Sequence, residues 1–395
     1  MKKTISIIGG GPSSLLLGAF LNVDKFDITI YEKNKTLGRK FLVAGKGGFN
    51  LTHSEPISEL IERYTPSDFL KNALLSFTNN DFRKWLHDIG IPTYVGSSKR
   101  VYPEEHIKPI TVLNTILNHL KEKGINFKYN HVFSGWDTAN NLIINNEIIY
   151  SDYTVFSLGG GSWKITGSDG SWVKTFEKKG VKTIPFEASN CAFKIDWNSK
   201  FILENEGIPL KNITIYCAKK QQKGEAVITR FGLEGNAIYA LSPQIRAQLK
   251  TQEKAIIYID FKPTLTLENI TSKLVNSTFK NTTQILKKVL KLSNAQIDLL
   301  KTYLPKETYL NSALLSKNIK KFSLEINGLG NLDKAISTVG GIDLKNIDSN
   351  FQLHKIPTQF CIGEMLNWDT PTGGYLIQGC ASAGVFLSNY LNKID

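Results

Sequence analysis

Residues 4–32 read TISIIGGGPSSLLLGAFLNVDKFDITIYE, and this stretch decides the fold. Two strand-like segments, TISII (4–8) and DITIY (27–31), flank three glycines and an apolar segment at 12–22. A strand, a glycine turn, a helix and a second strand in about thirty residues form a βαβ unit, whose strands lie parallel. The sequence therefore predicts an α/β protein with a Rossmann-type core that begins with this stretch.

The glycines at 9–11 have the spacing of a dinucleotide-binding turn. Gly9 and Gly11 match the first two glycines of the G-x-G-x-x-G pattern, and Ser14 stands at the third position. The first glycine permits the bend, the second lets the backbone approach a pyrophosphate, and the third allows the helix to pack closely on the strand. Glu32, at the end of the second strand, is placed to accept hydrogen bonds from ribose hydroxyls. The alternative is a structural turn followed by a surface glutamate.

A second glycine-rich stretch, GRKFLVAGKGGFNLTH at 38–53, is too long and too polar for a simple turn. Glycine backbone allows amides to line a ligand, and cationic side chains can meet its phosphates. We expect cofactor contacts from Arg39, Lys40, Gly45, Lys46, Gly47, Gly48 and Asn50. The alternative is a mobile surface loop.

A third stretch, SLGGGSWKITGSDG at 157–170, follows the apolar strand-like segment YTVFSL. Ligands of open α/β sheets bind beyond the carboxyl ends of the parallel strands. Gly159 and Gly160 are therefore expected beside the turn at 9–14.

The fourth stretch, IGEMLNWDTPTGGYLIQGCASAG at 362–384, contains the end of a strand and the start of a helix. The amides and the positive dipole end of a helix that opens at Gly373, Gly374 and Tyr375 can stabilise negative charge on a flavin ring. Glu364, after Gly363, is placed to bind the hydroxylated linker of the cofactor. The alternative for the two glycines is a bare turn into a terminal helix.

Changes in pattern along the 395 residues indicate three parts. Alternating segments such as NITIYC and AIIYID predict a β-rich inserted domain at 186–262. Segments with helical spacing predict a small helical domain at 263–329. The remaining stretches, 1–185 and 330–395, form one split cofactor-binding domain.

Composition favours a cytoplasmic enzyme. No apolar run is long enough to span a membrane, and no signal peptide is visible. Four widely spaced cysteines indicate neither a disulfide framework nor a metal site. The net charge of +13 is carried by lysines spread along the chain, which we interpret as solvated faces, so a nucleic-acid partner is not expected.

Six segments together resemble one known family: GGGPSS (9–14), LGRKFLVAGKGGFNLT (37–52), SLGGGSWKITGSDG (157–170), TRFGLEGNAIY (229–239), TVGGI (338–342) and GEMLNWDTPTGGYLIQ (363–378). They resemble the bacterial FAD-binding flavoproteins of the HI0933-like (BaiN/aminoacetone-oxidase-type) family, and the resemblance spans nearly the whole chain. It implies a split FAD domain, a β-rich insert and a small helical domain. It also implies FAD contacts at Pro12, Ser13, Ser14, Lys33, Leu51 and Val132 in addition to the residues given above.

One departure from the family pattern is visible. Relatives commonly carry an Arg-Cys pair before Asn-Leu-Thr, whereas this chain has Gly48 and Phe49. The reactions of better-studied relatives are therefore not transferred to it.

The sequence predicts an FAD-dependent oxidoreductase of an unidentified small molecule, with O₂ or NAD(P) as the partner in electron transfer. The alternative is a flavoprotein of the tRNA-modifying type that binds RNA. No catalytic side chain and no oligomeric state are predicted. Single histidines without a visible partner are more often structural than acid–base groups, and we interpret His53 and His106 in this way. Cys380 is interpreted as a packing residue, and Arg230 is a candidate anchor for a substrate carboxylate.

Overall fold

The computed structural model describes residues 1–43 and 48–394. The chain forms two compact units, one of Met1–Ser189 with Leu332–Asp395 and the other of Asn190–Asn331. Gly45, Lys46 and Gly47, which were expected to contact the cofactor, lie outside the described residues. In the part of the chain that is described, no helix is both long and apolar enough to cross a bilayer.

The first unit contains the elements of the predicted βαβ start. Its strands are β1 (Lys3–Ile8), β2 (Phe26–Glu32), β3 (Thr52–His53), β4 (Thr93–Val95), β5 (Arg100–Pro103), β6 (Asn126–Tyr129), β7 (Phe133–Trp136), β8 (Leu142–Ile144), β9 (Glu147–Ile149), β10 (Tyr153–Phe156), β11 (Thr183–Ser189), β19 (Ser337–Ile342) and β20 (Gln359–Cys361). Its helices are α1 (Pro12–Phe20), α2 (Arg39–Val43), α3 (Ile57–Ile61), α4 (Lys71–Ser76), α5 (Asn79–Asp88), α6 (Pro109–Glu122), α7 (Val173–Lys178) and α16 (Tyr375–Leu391). The intervening numbers belong to the second unit.

Five of these strands form a parallel sheet in the order β20-β10-β1-β2-β6. Ile5, Ile7 and Ile8 of β1 are almost fully buried, as expected for a strand that is covered on both faces. The predicted Rossmann-type α/β fold is thereby confirmed. Because parallel strands end at the same edge, the segments after β1, β2, β10 and β20 all lie at the carboxyl edge of this sheet.

The helix α16 packs against α1. A Cβ atom added to Gly384 would lie 2.5 Å from the carbonyl oxygen of Ser13, so only glycine permits this approach. Both helices begin at the carboxyl edge of the sheet, and their packing fixes the two helix starts relative to each other.

The second unit is an antiparallel sheet with helices. The strands β12 (Phe193–Lys194), β13 (Pro209–Cys217), β14 (Lys220–Thr229), β15 (Gly232–Glu234), β16 (Ala255–Asp260), β17 (Phe322–Ile326) and β18 (Gly328–Leu329) have the order β17-β16-β13-β14-β15-β12-β18. The helices are α8 (Ser199–Asn205), α9 (Asn236–Tyr239), α10 (Ser242–Gln252), α11 (Leu267–Val275), α12 (Thr282–Lys288), α13 (Asn294–Tyr303), α14 (Lys306–Leu310) and α15 (Ser312–Lys320). Sheet and helices share one hydrophobic core. The division of this stretch into two domains at residue 262 stays a prediction.

Candidate functional site

The turn after β1 lies against the end of β10. Gly9 has φ +102°, and a Cβ atom there would lie 2.3 Å from the carbonyl oxygen of Ser157. A side chain is therefore excluded at Gly9 both by its backbone conformation and by the neighbouring strand. The first and third glycine-rich stretches meet, as the sequence predicted.

The start of α1 faces open space. Gly11 is the N-cap residue, with extended backbone (φ −87°, ψ 179°) and no capping side chain, and Pro12 occupies the first turn. A Cβ atom added to Gly11 would meet no atom within 4 Å. Within residues 1–43 and 48–394, the amides of Gly11, Ser13 and Ser14 find no hydrogen-bond acceptor. The Ser14 hydroxyl, in place of the third glycine, donates to the Gly9 carbonyl.

Glu32 lies beside this turn. Its Oε2 accepts a hydrogen bond from the Gly10 amide at 2.9 Å, and its Oε1 accepts two from the amide and the side chain of Asn34. A carboxylate offers about four lone-pair positions, so Glu32 keeps some capacity for a further donor. Val132 is exposed and follows β6 at the same edge, where the His131 amide donates to the Glu32 carbonyl.

Two cationic side chains, Lys33 and Arg39, connect the segment at residues 33–40 to the third stretch. Lys33 forms an ion pair with Asp169 at 2.9 Å. Arg39 donates to the Asn34 side chain at 2.7 Å and to the carbonyl of Ile165 at 2.8 Å. These side chains hold the segments near 33–40 and 165–169 together.

A partly buried ion pair joins Lys40 to Glu364. The Lys40 ammonium lies 2.8 Å from one carboxylate oxygen and 3.0 Å from the other, and it also donates to Ser162. Glu364 accepts from the Thr338 amide at 3.1 Å. A Cβ atom on Gly160 would lie 2.1 Å from the Thr338 hydroxyl, so glycine at this position lets Thr338 pack against the loop after β10. Lys40 and Glu364, which were expected to contact different parts of the cofactor, thus bind each other.

The remaining predicted glycines of these stretches also have left-handed backbone. Gly159 has φ +74° and its carbonyl accepts from the Trp172 indole at 3.0 Å. Gly363 has φ +83°, and a Cβ atom there would lie 2.5 Å from the Ser13 hydroxyl. The end of β20 is therefore in contact with the start of α1.

The start of α16 lies against β3. Gly373 and Gly374 have φ values of +125° and +94°. A Cβ atom on Gly374 would lie 2.6 Å from backbone atoms of Thr52, whereas one on Gly373 would lie 3.5 Å from Nε of Arg100. The glycine pair predicted that the backbone comes close to a ligand. At Gly374 the backbone comes close to the backbone of Thr52 in the same chain.

Residues 48–51 lead into β3. Gly48 has φ +101°, and a Cβ atom there would contact the Tyr102 ring at 3.4 Å. Phe49 is buried edge-on against Phe41, and Leu51 is fully buried with its amide donating to the Val101 carbonyl at 2.8 Å. The Asn50 side chain contacts only the Gly48 carbonyl among the described residues, at 3.2 Å.

A polar cluster beside α16 was not found from the sequence. The His53 ring stacks on Tyr375 with centroids 5.0 Å apart, and its Nδ1 accepts from the Glu55 amide at 3.2 Å. Arg63 binds the Glu55 carboxylate through two nitrogens, at 3.1 and 2.9 Å. Arg100 is paired with His53 across β3 and β5. The sequence indicated His53 and Tyr375 separately but not Glu55, Arg63 or Arg100, because these residues come from segments that no local pattern connects.

Burial and hydrogen bonds determine the ionisation of this cluster. Burial lowers the pKa of His53, which favours the neutral imidazole. Burial alone would raise the pKa of Glu55, but hydrogen bonds from Arg63 and Tyr375 outweigh burial and lower this pKa. Burial, followed by the Glu55 charge, raises the pKa of Tyr375.

The other isolated candidates lie elsewhere. His106 is exposed, 3.8 Å from Glu104, and Arg230 is exposed in the second unit. Burial raises the pKa of the Cys380 thiol to about 12, which suits a packing residue. No group of three or more His, Cys, Asp and Glu side chains with metal-binding geometry occurs in the described ranges.

Comparisons with known proteins identify the family of the chain. The family model of the HI0933-like protein Rossmann domain matches residues 3–390. A Haemophilus influenzae protein named ribosomal RNA dihydrouridine synthase is 24% identical over 387 residues, which cover 94% of each chain. A Clostridium scindens protein named 3-dehydro-bile acid delta(4,6)-reductase is 21% identical over 271 residues, 66% of this chain and 64% of that protein.

A solved structure shares the fold. The open conformation of a flavocytochrome c3 fumarate reductase superposes with a TM-score of 0.52 at 12% identity, covering 99% of this chain and 78% of that chain. The chain therefore belongs to the HI0933-like family, and it is an FAD-dependent oxidoreductase with a Rossmann-type domain, as its sequence predicted.

Proposed function

We propose that FAD lies along the carboxyl edge of the parallel sheet, with its pyrophosphate at the start of α1. The observation that carries this proposal is the open space in front of Gly11, lined by amides that lack acceptors. Helix N-termini stabilise anions through such amides and through the helix dipole. The adenosine half extends towards Glu32, whose carboxylate accepts from the ribose, and towards Val132.

The flavin half extends in the other direction, to residues 48–51 and the start of α16. The contact between Gly363 and Ser13 makes the path from α1 to this region continuous. Among the described residues, the amides of Tyr375, Leu376 and Ile377 have no acceptor, so they can bind the polar edge of the ring. Lys40 and Glu364 neutralise each other, and we assign to them the role of holding together the segments on either side of the proposed FAD site. Bound FAD supplies hydride transfer, which side chains alone do not provide.

We propose further that the enzyme is a reductase of a carbon–carbon double bond conjugated to a carbonyl group. Dihydrouridine differs from uridine by two hydrogen atoms added across such a bond, and a delta(4,6)-reductase is named for the double bonds that it reduces. The reaction adds a hydride to one carbon and a proton to the other, and it consumes NAD(P)H. Arg100 is half-buried beside Gly373, and in the described structure its guanidinium donates no hydrogen bond. We assign to Arg100 the binding and polarisation of the substrate carbonyl.

The substrate that we favour is a uridine of ribosomal RNA. The relative with that name matches this chain over 94% of both lengths, and the net charge of +13 suits a polyanionic substrate. The small-molecule substrate expected from the sequence is the alternative, and the delta(4,6)-reductase relative favours it.

The decisive experiment uses FAD-loaded protein, NAD(P)H and unmodified ribosomal RNA made by transcription. We expect dihydrouridine, measured by mass spectrometry of the digested RNA. An Arg100→Gln variant should keep FAD but lose most of the activity, whereas Arg83→Gln, at a position outside the cluster, should be unaffected.

A parallel reaction with a conjugated steroid ketone separates the outcomes. Reduction of the ketone without any dihydrouridine would retain the double-bond reductase and overturn the RNA substrate. Reduction of neither compound would overturn the proposed reaction.

A further inference from the structure

The net positive charge of the chain is concentrated in the second unit. Asn190–Asn331 contains 21 Lys and Arg residues against 11 Asp and Glu residues, a net charge of +10, whereas the first unit carries only +3. The smaller unit therefore carries most of the charge, which the spread of lysines along the sequence concealed. A basic domain of this kind has the electrostatic character of a nucleic-acid-binding module.

The sheet of this unit has two unlike faces. Ile213, Ile215, Ile257 and Ile259 point to one face and are fully buried in the core that includes the helices. Side chains alternate along a strand, so the residues between these isoleucines point to the opposite face. That opposite face carries polar and aromatic side chains, and part of it is exposed.

Two tyrosines stand side by side on the opposite face. Tyr216 of β13 pairs directly with Tyr258 of β16, and the row continues to Gln221 on β14 and to Ser323 on β17. Side chains that pair directly across strands lie on the same face, with Cβ atoms about 5 Å apart. The tyrosines are half-buried, and Gln221 and Ser323 at the two ends of the row are exposed. Four neighbouring strands thus present a row with two central aromatic rings.

Lysines flank the row. The Lys321 ammonium lies 4.5 Å from the centroid of the Tyr258 ring. Lys223, exposed on β14, pairs with Thr214 and so points to the same face, one row from Tyr216. We call Tyr216, Gln221, Lys223, Tyr258, Lys321 and Ser323 the sheet platform.

Two of the acidic side chains on this face form ion pairs, whereas Glu225, two residues from Lys223 on β14, and Glu234 of β15 lie on the same face without a cationic partner among the described residues. Asp260 is bound by Lys320 at 2.6 Å, and Glu325 is bound by Lys254 at 2.6 Å. In the described part of the chain no carboxylate lies within ion-pair distance of Lys223 or Lys321. The platform therefore combines aromatic rings with two cationic side chains that form no ion pair among the described residues.

We infer that the sheet platform binds single-stranded RNA, with bases stacked on Tyr216 and Tyr258 and phosphates bound by Lys223 and Lys321. Aromatic residues on an exposed four-stranded sheet bind unpaired bases in known RNA-binding modules, and lysines around such rings bind the backbone. The aromatic pair distinguishes this surface from a merely basic face, which would attract any polyanion. The inference rests on the proposed RNA substrate, for which the platform supplies a binding surface in the second unit.

The test measures binding of a fluorescent oligouridine, about 12 nucleotides long, to the full-length FAD-loaded protein by anisotropy. We expect Tyr216→Ala and Tyr258→Ala each to raise the Kd by about five- to a hundredfold, since one stacked base contributes an effect of that order. Tyr216→Phe, which keeps the ring, should bind like the parent. Tyr150→Ala, an exposed tyrosine of the first unit, is the matched control and should have no effect.

Charge is tested separately, because lysine variants on an exposed face leave the core intact. Lys223→Gln and Lys321→Gln should each reduce the slope of log K against log salt by about 0.7. An oligouridine that binds the parent and both tyrosine-to-alanine variants equally would overturn the platform, as would a parent that binds no oligouridine.

These results are independent of the proposed reaction. If the parent forms dihydrouridine and its tyrosine variants bind RNA normally, the proposed RNA-binding role of the platform is overturned and the proposed reaction is retained. If the tyrosine variants bind RNA more weakly but the parent forms no dihydrouridine, the RNA-binding role of the platform is retained and the proposed reaction is overturned.

Discussion

Gly11 and Gly374 both precede the first residue of a helix at the same site, but the chain requires them for different reasons. Gly11 has an extended backbone that any residue adopts, and a side chain there would project into open space. Gly374 has φ +94°, and a side chain there would collide with the backbone of Thr52. The first glycine leaves room for a ligand, and the second leaves room for the chain. A glycine at a helix start therefore identifies a binding site only when the space beside it is known.

The largest effect that separates the two positions is expected from Gly374→Ala. The substitution adds left-handed strain and a backbone collision at 2.6 Å, which together should lower the free energy of unfolding by about 2–5 kcal/mol. Denaturant unfolding of the cofactor-free protein measures this loss. Gly90→Ala is the matched control, because Gly90 has φ +88° but no neighbour within 4 Å of an added Cβ. Equal losses in the two variants would show that the contact with Thr52 contributes nothing.

An effect of opposite sign is expected from Gly11→Ser. Serine is a more favourable N-cap residue than glycine in this backbone conformation, so the free energy of unfolding of the cofactor-free protein should rise by a few tenths of a kcal/mol. Its hydroxyl would occupy the space in front of α1 and accept from the amides that we assign to the pyrophosphate. FAD affinity, measured by titration of the cofactor-free protein, should fall at least about tenfold, since charge-assisted hydrogen bonds are lost. Unchanged affinity would place the pyrophosphate elsewhere.

The features that the sequence predicted correctly are local ones. The strand, turn and helix of residues 4–32 are contiguous, so the apolar residues of β1 and the glycines that follow it indicate these elements from the local sequence alone. The parallel arrangement then places the ends of β1, β2, β10 and β20 at one edge. Glu32 and the loops at 157 and 363 therefore reach the same region.

The features that the sequence did not reveal depend on tertiary contacts. Lys40 and Glu364 are 324 positions apart, and no local pattern indicates that they neutralise each other. The sheet platform is divided among four strands between Tyr216 and Ser323, so its aromatic and basic residues are never interleaved in the sequence. Likewise, the sequence could not show that Gly374 faces Thr52.

The smallest expected effect concerns acid, which should weaken the packing around the α16 start and leave the α1 start unchanged. Burial lowers the pKa of His53 below 6.5, so between its folded value and 6.5 the unfolded chain binds more protons than the folded one. This contribution to stability is present above pH 6.5 and is lost as the pH falls through the folded value. The pKa of Glu55 is lowered below 4.5, so its contribution is lost only in stronger acid. The parent should therefore have a lower Tm at about pH 5.5 than at about pH 7.5.

His53→Asn tests the assignment, because the asparagine oxygen can accept from the Glu55 amide in place of Nδ1 but does not titrate. The variant should lose less Tm between the two pH values than the parent. His119, whose pKa burial also lowers, titrates in both proteins and cancels from the difference. Gly11→Ser should lose as much Tm between the two pH values as the parent, since its altered helix start contains no titrating side chain. An acid loss that is equal in His53→Asn and the parent would mean that His53 does not couple the α16 start to pH, and the difference between the two helix starts would then be one of packing alone.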